Sequence, residues 1–375
     1  MNLADMLSYA DIRELSHIAR TYACECSTNS KNELIQSILS SIGRKEVFEQ
    51  QVGGLSMEDI RFLNSLLFER RDLFSLEELL ARANQTRFVK EEASDWNPRD
   101  TIVKFKHRGW LFNGHSQQTR YLFQVPQDLK RKIGEALTKQ FAAKLQYIGT
   151  DPTVYRDEQE LLVQDLSALL RYLQQQEVQL SADGYIYKRN LQQLLESFAV
   201  QEEQVGRTAW RFGYGRRFKE YPNRFSLIYD YCYYQGLITE EQQVLELTLE
   251  GRKRLEQGRT EDVQDIYHFW LRLYKGAIPN LQSLVQWIDR LAHSWVTVAS
   301  LEQVLVPLIK PFYYDAPESI LNHRILQMMM HIGLIKIGEE EGLGRVVMMT
   351  KLGSGVIKGT YVKEEDKIEL PIDKP

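Results

Sequence analysis

The sequence predicts a mainly α-helical fold made of serial modules, each three helices and a small β-hairpin, with longer helices joining them. Three observations predict it. Helix-start signals stand ahead of amphipathic runs at Ser75-Leu76-Glu77-Glu78 and at Asn97-Pro98-Arg99-Asp100. A glycine closes an apolar helix just before a strand at Gly109, Gly236 and Gly333. The string Gly-Leu-Ile, a turn, an apolar strand and Thr-x-x-Gly occurs twice in one order.

Residues 1–50 predict two short helices. Asp11 to Tyr22 places Ile12, Leu15, Ile18 and Ala19 on one face, and Ser30 with Glu33 forms a capping box for a second helix through Ile38 and Leu39. With its Lys31-Asn32-Glu33-Leu34-Ile35 run, this segment resembles the SAP and Rho-N-terminal class of small nucleic-acid-binding hairpins; a plain helical hairpin is the other reading.

Residues 51–135 form the first module: helix Ser56–Arg71, a short helix from Ser75 to Ala83, and a third from Pro98 that carries Ile102, Val103 and Phe105 and stops at Gly109. Trp110-Leu111-Phe112 and Arg120–Val125 follow as a hairpin turning at Asn113-Gly114 and ended by Pro126. Residues 136–180 are a helical linker containing helix Asp157–Gln176. Residues 181–260 are the second module, with helices Tyr187–Phe198 and Arg224–Gln235 and a hairpin of Gly236-Leu237-Ile238 with Val244–Thr248. Residues 261–293 are a second linker whose Trp270, Tyr274 and Trp287 read as core. Residues 294–360 are the third module, with helices Ser300–Ile309 and Pro317–Ile332 and a hairpin of Gly333-Leu334-Ile335 with Val346–Thr350. Its Glu339-Glu340-Glu341 falls at the hairpin tip. Met328, Met329 and Met330 read as core, with a protein-docking surface as the alternative. Residues 361–375, charged and ending in proline, read as a loose tail.

Three helices followed by a hairpin resemble the winged helix, and the Gly-Leu-Ile … Thr-x-x-Gly ending is similar to that of many winged-helix DNA-binding domains. The first module lacks the Thr-x-x-Gly part. Its Val125-Pro126-Gln127-Asp128-Leu129 end is similar to helicase-associated winged-helix regions in bacterial relatives of the repair helicase XPB. These likenesses imply a DNA-binding accessory factor in repair, replication or recombination, with DNA as partner and a helicase or another protein as a second one. A protein-interaction scaffold or transcription regulator built of tandem winged helices is the alternative.

The charge pattern agrees with local anion binding. The chain has a formal net charge of -4, yet residues 99–132 hold 8 basic and 2 acidic groups, and residues 205–224 hold 6 and 1. Arg99, Lys104, Lys106, His107 and Arg108 belong to the third helix of the first module, the element that enters the major groove in a winged helix. Lys104, His107 and Arg108 share its exposed side, opposite Ile102 and Phe105. Arg120 lies on the wing, His115, Gln117 and Gln118 near its tip, and Lys130, Arg131 and Lys132 follow. The second island runs through Arg207, Arg211, Arg216, Arg217 and Lys219 to Arg224, interleaved with Trp210, Phe212 and Phe218. It admits two readings: aromatics stacked on exposed bases with guanidinium groups on phosphates, or aromatics folded onto the core.

Nothing in the sequence reads as catalysis. The seven histidines make no metal-ligand spacing, and there is no Gly-x-x-x-x-Gly-Lys-Ser/Thr loop and no Gly-x-Ser-x-Gly elbow. A non-enzymatic protein with no cofactor and no metal is expected. Cys24, Cys26 and Cys232 follow no disulfide framework, the start carries no signal-peptide pattern, and apolar runs fall well short of the roughly 20 residues that span a bilayer. A cytoplasmic chain without membrane contact is the expectation.

Overall fold

The computed structural model describes residues 1–27, 29–88, 96–206 and 212–369. The chain divides into two compact units, Met1–Lys144 and Leu145–Pro375. Both are mainly helical with small antiparallel sheets.

The first unit opens with four helices rather than two: α1 (Leu3–Tyr9), α2 (Ile12–Thr21), α3 (Lys31–Gly43) and α4 (Lys45–Gly53). Asn2 and Asp5 cap α1 reciprocally, a signal too close to the terminus to carry a hydrophobic period. Ser30 caps α3, but Glu33 does not reach back to it; its carboxylate accepts the Ser27 N–H instead. Then come α5 (Met57–Leu67), α6 (Leu76–Gln85), α7 (Pro98–His107), β1 (Phe112–Asn113), β2 (Phe123–Gln124) and α8 (Gln127–Ala142). Ser75 and Glu78 form the expected box at α6, and Asn97 caps α7 with Pro98 in its first turn. Phe74, just before α6, bridges to Phe123. The hairpin does not turn at Asn113-Gly114. Gly114 still donates to Leu122, and the turn forms over Ser116–Thr119, where the two side chains bond each other's backbone N–H.

The second unit contains the helix–helix–helix–hairpin order twice. In the first copy α9 (Leu161–Gln175) follows the strand β3 (Val154–Arg156), so the predicted helix starts four residues later than expected. After it come β4 (Val178–Gln179), α10 (Lys188–Glu196), α11 (Asn223–Tyr234), β5 (Ile238–Glu241), β6 (Val244–Leu247) and α12 (Leu249–Glu256). Helix α13 (Val263–Tyr274) leads to the second copy: α14 (Leu281–Leu291), β7 (Val296–Thr297) and α15 (Val298–Leu305). There α16 (Pro317–Ser319) runs through a π-helical stretch (Ile320–Leu326) into α17 (Gln327–His331), then β8 (Ile335–Glu340), β9 (Gly344–Met349) and α18 (Lys351–Gly359). The strand ahead of each copy's second helix pairs with the returning hairpin strand, giving sheet orders β4-β6-β5 and β3-β8-β9-β7.

One local device recurs at every hairpin entrance. Gly109, Gly236 and Gly333 lie at φ +64°, +67° and +84°. In each case the glycine N–H bonds the carbonyl three residues back and the next N–H reaches the carbonyl five back: Lys106 and Phe105, Tyr233 and Cys232, Met330 and Met329. Thr248 and Thr350 finish the motif. Each hydroxyl donates to the carbonyl of the helix-ending glycine, at 2.6 and 2.9 Å, and accepts from Gly251 or Gly353 to cap α12 or α18. The second glycine of each repeat, Gly251 or Gly353, does not turn the chain off the sheet. It sits inside the next helix, where a Cβ would lie 2.2 Å from the Leu237 or Leu334 carbonyl oxygen.

Trp270, Tyr274 and Trp287 are buried core, as are Met328, Met329 and Met330, which leaves the methionines no role as an exposed docking surface. The tail is not loose over its described part. Val362 is buried, its N–H bonds the Gln282 side chain, and Arg272 on α13 holds the Asp366 carbonyl. Among the described residues no helix is long and apolar enough to cross a membrane, and no group of His, Cys, Asp and Glu is placed to hold a metal ion.

Candidate nucleic-acid interface

The first basic island forms on α7. Ile102 and Phe105 turn inward, and the Phe105 ring stacks on Phe62 at 5.3 Å and lies 5.9 Å from Trp110. Arg99, in the first turn, and Val103 and Lys104, further along, are exposed on α7. Lys104 is tied to Asp59 while staying 43% exposed. The Asp59 carboxylate is itself buried, so a phosphate that takes the ammonium must offset leaving that carboxylate short of its cation.

From Lys106 onward the end of α7 is different, because α2 packs against it. His17 stacks on His107 with ring centroids 4.5 Å apart. Lys106 donates to Asn113 Oδ1 at 2.7 Å and lies 3.5 Å from Glu14. Tyr22 donates to the Arg108 carbonyl and accepts from Trp110 Nε1, while the Arg108 guanidinium lies 5.5 Å from the Trp110 ring. Burial, then the charges of His17 and Lys106, hold the His107 imidazole below its ordinary pKa. Of the five helix residues singled out from sequence, only Arg99 and Lys104 project with an open end; Lys106, His107 and Arg108 are half-buried against α2 and the hairpin.

Arg120 is exposed on the hairpin and folds onto Tyr121, itself 69% exposed, with its guanidinium 4.6 Å from the ring. Arg131 is exposed on α8. Lys130 is turned toward Asp72 at 3.3 Å, and Lys132 toward the Ile42 and Gly43 carbonyls. Sequence reasoning missed a further row: Arg13, His17 and Arg20 are exposed on α2, at the i, i+4, i+7 spacing of one helix face. That spacing was readable. Its nearness to α7 through the His17–His107 stack was not.

In the second island Arg207 and Arg211, with Trp210, lie outside the described residues. Arg216 and Arg217 are committed internally. Both grip Glu240 on β5, at 3.1 and 2.6 Å, and Tyr229 donates to the same carboxylate at 2.8 Å. Arg216 also lies 3.5 Å from the Tyr233 ring. Lys219 is exposed, with its ammonium 6.0 Å from the Phe218 ring. Arg224 is a correction: it is 0% exposed and cannot touch DNA. It pairs with Glu158 and Asp165 inside the second unit, at 3.2 and 2.5 Å. Its helix α11 packs against α13 and α17, and Arg224 through Cys232 are all buried.

Asp230 on α11 is buried and accepts the Arg216 N–H at 3.0 Å. Burial pushes its carboxyl up to about 7, against that N–H and the charges of Arg216 and Arg217, with Glu240 adding to the rise. A folded-state pKa above the unfolded one means stability that is full below about pH 4 and is lost as pH rises through 7. Asp230→Asn removes this titrating carboxyl. Chemical unfolding at about pH 5 and pH 8 is expected to give a smaller loss of stability for the variant than for the wild type.

No protein-family model, curated protein or solved structure matched this chain.

Proposed function

We propose that the chain is a non-catalytic DNA-binding protein built of winged helices, and that it meets duplex DNA through the exposed side of α7, the neighbouring hairpin and the exposed face of α2. The strand order supports the winged-helix assignment. In both copies of the second unit, and in reduced form through the Phe74–Phe123 bridge of the first, the strand before the second helix pairs with the returning wing strand. Recognition helices contact base edges with their N-terminal residues, and Arg99 is exposed in the first turn of α7. The observation that carries the reading is the exposure of five cations on adjoining elements of one unit: Arg99 and Lys104 on α7, Arg120 on the hairpin that follows it, and Arg13 and Arg20 on α2, which packs on α7. The first unit holds 21 basic and 19 acidic groups, the second 26 and 32, so polyanion is drawn to the first.

The combined variant Arg99→Glu, Lys104→Glu and Arg120→Glu tests this by anisotropy titration of a labelled duplex. Affinity is expected to fall at least tenfold at low salt, and the slope of log affinity against log salt to flatten by about three. Unchanged affinity would remove α7 from the account.

A role as accessory factor in repair, replication or recombination, with a helicase as protein partner, follows from this reading. The scaffold alternative is favoured by one observation. Of the two helices of the second unit equivalent to α7, α11 is buried from Arg224 to Cys232 and α17 from Met328 to His331, which suits architecture or protein contact better than groove reading.

A further inference from the structure

The second unit carries an aromatic tip that the DNA reading does not use. Tyr313 and Tyr314 are 72% and 73% exposed, the most exposed aromatic side chains among the described residues. They occupy a two-residue turn closed by reciprocal backbone hydrogen bonds between Phe312 and Asp315, at 3.1 and 2.9 Å. Tyr313 lies at φ +48°, a left-handed conformation uncommon for a bulky residue. Such a backbone persists only where its surroundings fix it.

One buried guanidinium does the fixing. Arg324 donates to Asp315 Oδ2 at 2.8 Å and to the Phe212 carbonyl at 2.5 Å, and it lies 5.2 Å from the Tyr214 ring. The Phe212 ring is thereby held beside the tip, 6.4 Å from Tyr313 and 5.9 Å from Tyr314. The tip's carboxylate, Asp315, is buried and neutralised by Arg324, so it does not repel an anion. Exposed Lys310 stands two residues before Phe312, and exposed Lys219 lies against Phe218, whose ring is 6.3 Å from Phe212.

Solvent-facing rings, with exposed Lys310 three residues before Tyr313, fit unpaired nucleobases, which stack on aromatics regardless of sequence while the backbone meets positive charge. We propose that Tyr313 and Tyr314 form a stacking platform for single-stranded DNA, with Lys310 on its phosphates. The platform is independent of the α7 surface: it lies in the other unit and takes another form of the polymer.

The test is anisotropy titration of the full chain with labelled oligo(dT) and, separately, with labelled duplex. Tyr313→Ala with Tyr314→Ala is expected to weaken oligo(dT) binding about tenfold or more and to leave duplex binding as in the wild type. Tyr313→Phe with Tyr314→Phe, which keeps both ring faces, is expected to retain oligo(dT) affinity to within about twofold. A thermal melt of each variant separates loss of stacking from loss of fold. Wild-type chain that fails to bind oligo(dT), or an alanine pair that binds it unchanged, overturns the proposal; in the latter case the tip is left to an apolar protein partner. Loss of duplex binding alone, in the Arg99, Lys104 and Arg120 variant, leaves it standing.

Discussion

Replacing Arg224 with methionine is expected to destabilise the chain by about 3–5 kcal/mol, the usual effect of removing one partner from a buried ionic network. The guanidinium is completely buried and bridges two buried carboxylates. Glu158 takes it at 3.2 Å and Asp165 at 2.5 Å. Glu158 also receives Arg156 at 2.5 Å and His331 Nδ1 at 2.9 Å. Asp165 accepts the backbone N–H groups of Ala199 and Val200, at 2.6 and 3.3 Å. Burial alone would push the Glu158 carboxyl up; the His331 hydrogen bond and the charges of His331, Arg224 and Arg156 outweigh it and hold that group below the usual carboxylate range. Methionine fills much of the volume but leaves both carboxylates short of a cation in a medium that solvates them poorly. Urea unfolding measures the difference. Arg99→Met, at an exposed position, is the control and should change stability by less than about 0.5 kcal/mol. An Arg224→Met loss below about 1 kcal/mol would mean that water or backbone dipoles already solvate Glu158 and Asp165.

The second large effect is expected at Gly353, where alanine should cost about 3 kcal/mol or more, at the upper end of what overpacking does in a rigid core. The added Cβ would stand 2.2 Å from the Leu334 oxygen, 2.7 Å from its Cα and 2.8 Å from its carbonyl carbon. None of these is the movable end of a side chain. Leu334 is fixed by the hydrogen bond of its N–H to Met329 and by accepting from Thr350 N at 2.9 Å, and Thr350 in turn caps α18 through the Gly353 N–H. Shifting α18 would break the cap, and shifting Leu334 would unmake the helix-ending turn at Gly333. The same helix supplies the control. Gly355 is exposed with nothing within 4 Å of its would-be Cβ, so Gly355→Ala should stabilise by about 0.5–1 kcal/mol through helix propensity alone. Thermal melts of the two variants should move in opposite directions; equal shifts would show that propensity, and not the carbonyl, sets the need for glycine.

Much of this architecture could be read in one dimension because it is written in local signals. Ser75 with Glu78, Asn97 with Pro98, and the three helix-ending glycines each fix a boundary through groups a few residues apart. The recurrence of Gly-Leu-Ile and Thr-x-x-Gly was legible for the same reason, although the role of its second glycine was not. The carbonyl it must clear is 14 residues upstream at Gly251 and 19 at Gly353. The candidate interface was legible only in part. Positive charge is plain in the sequence, but what meets it is not: Lys106 lies beside Glu14, Arg216 and Arg217 hold Glu240, and Arg224 sits between Glu158 and Asp165. These partners are set by tertiary packing between distant segments. Helical spacing also left the buried side of α11 undecided, because a helix packed on several sides carries arginine at its start and tyrosine throughout. The tail from Tyr361 misled through composition; its charge suggested solvent, while the backbone hydrogen bonds to Arg272 and Gln282 hold it to the unit.

The most direct test of the central claim, that exposed cations around α7 grip duplex DNA, is the salt dependence of duplex binding by the full chain. With Arg99, Lys104, Arg120, Arg13 and Arg20 each meeting a phosphate, log affinity should fall against log salt with a slope of about -4 to -5. No binding at low salt, or a slope near zero, would contradict it.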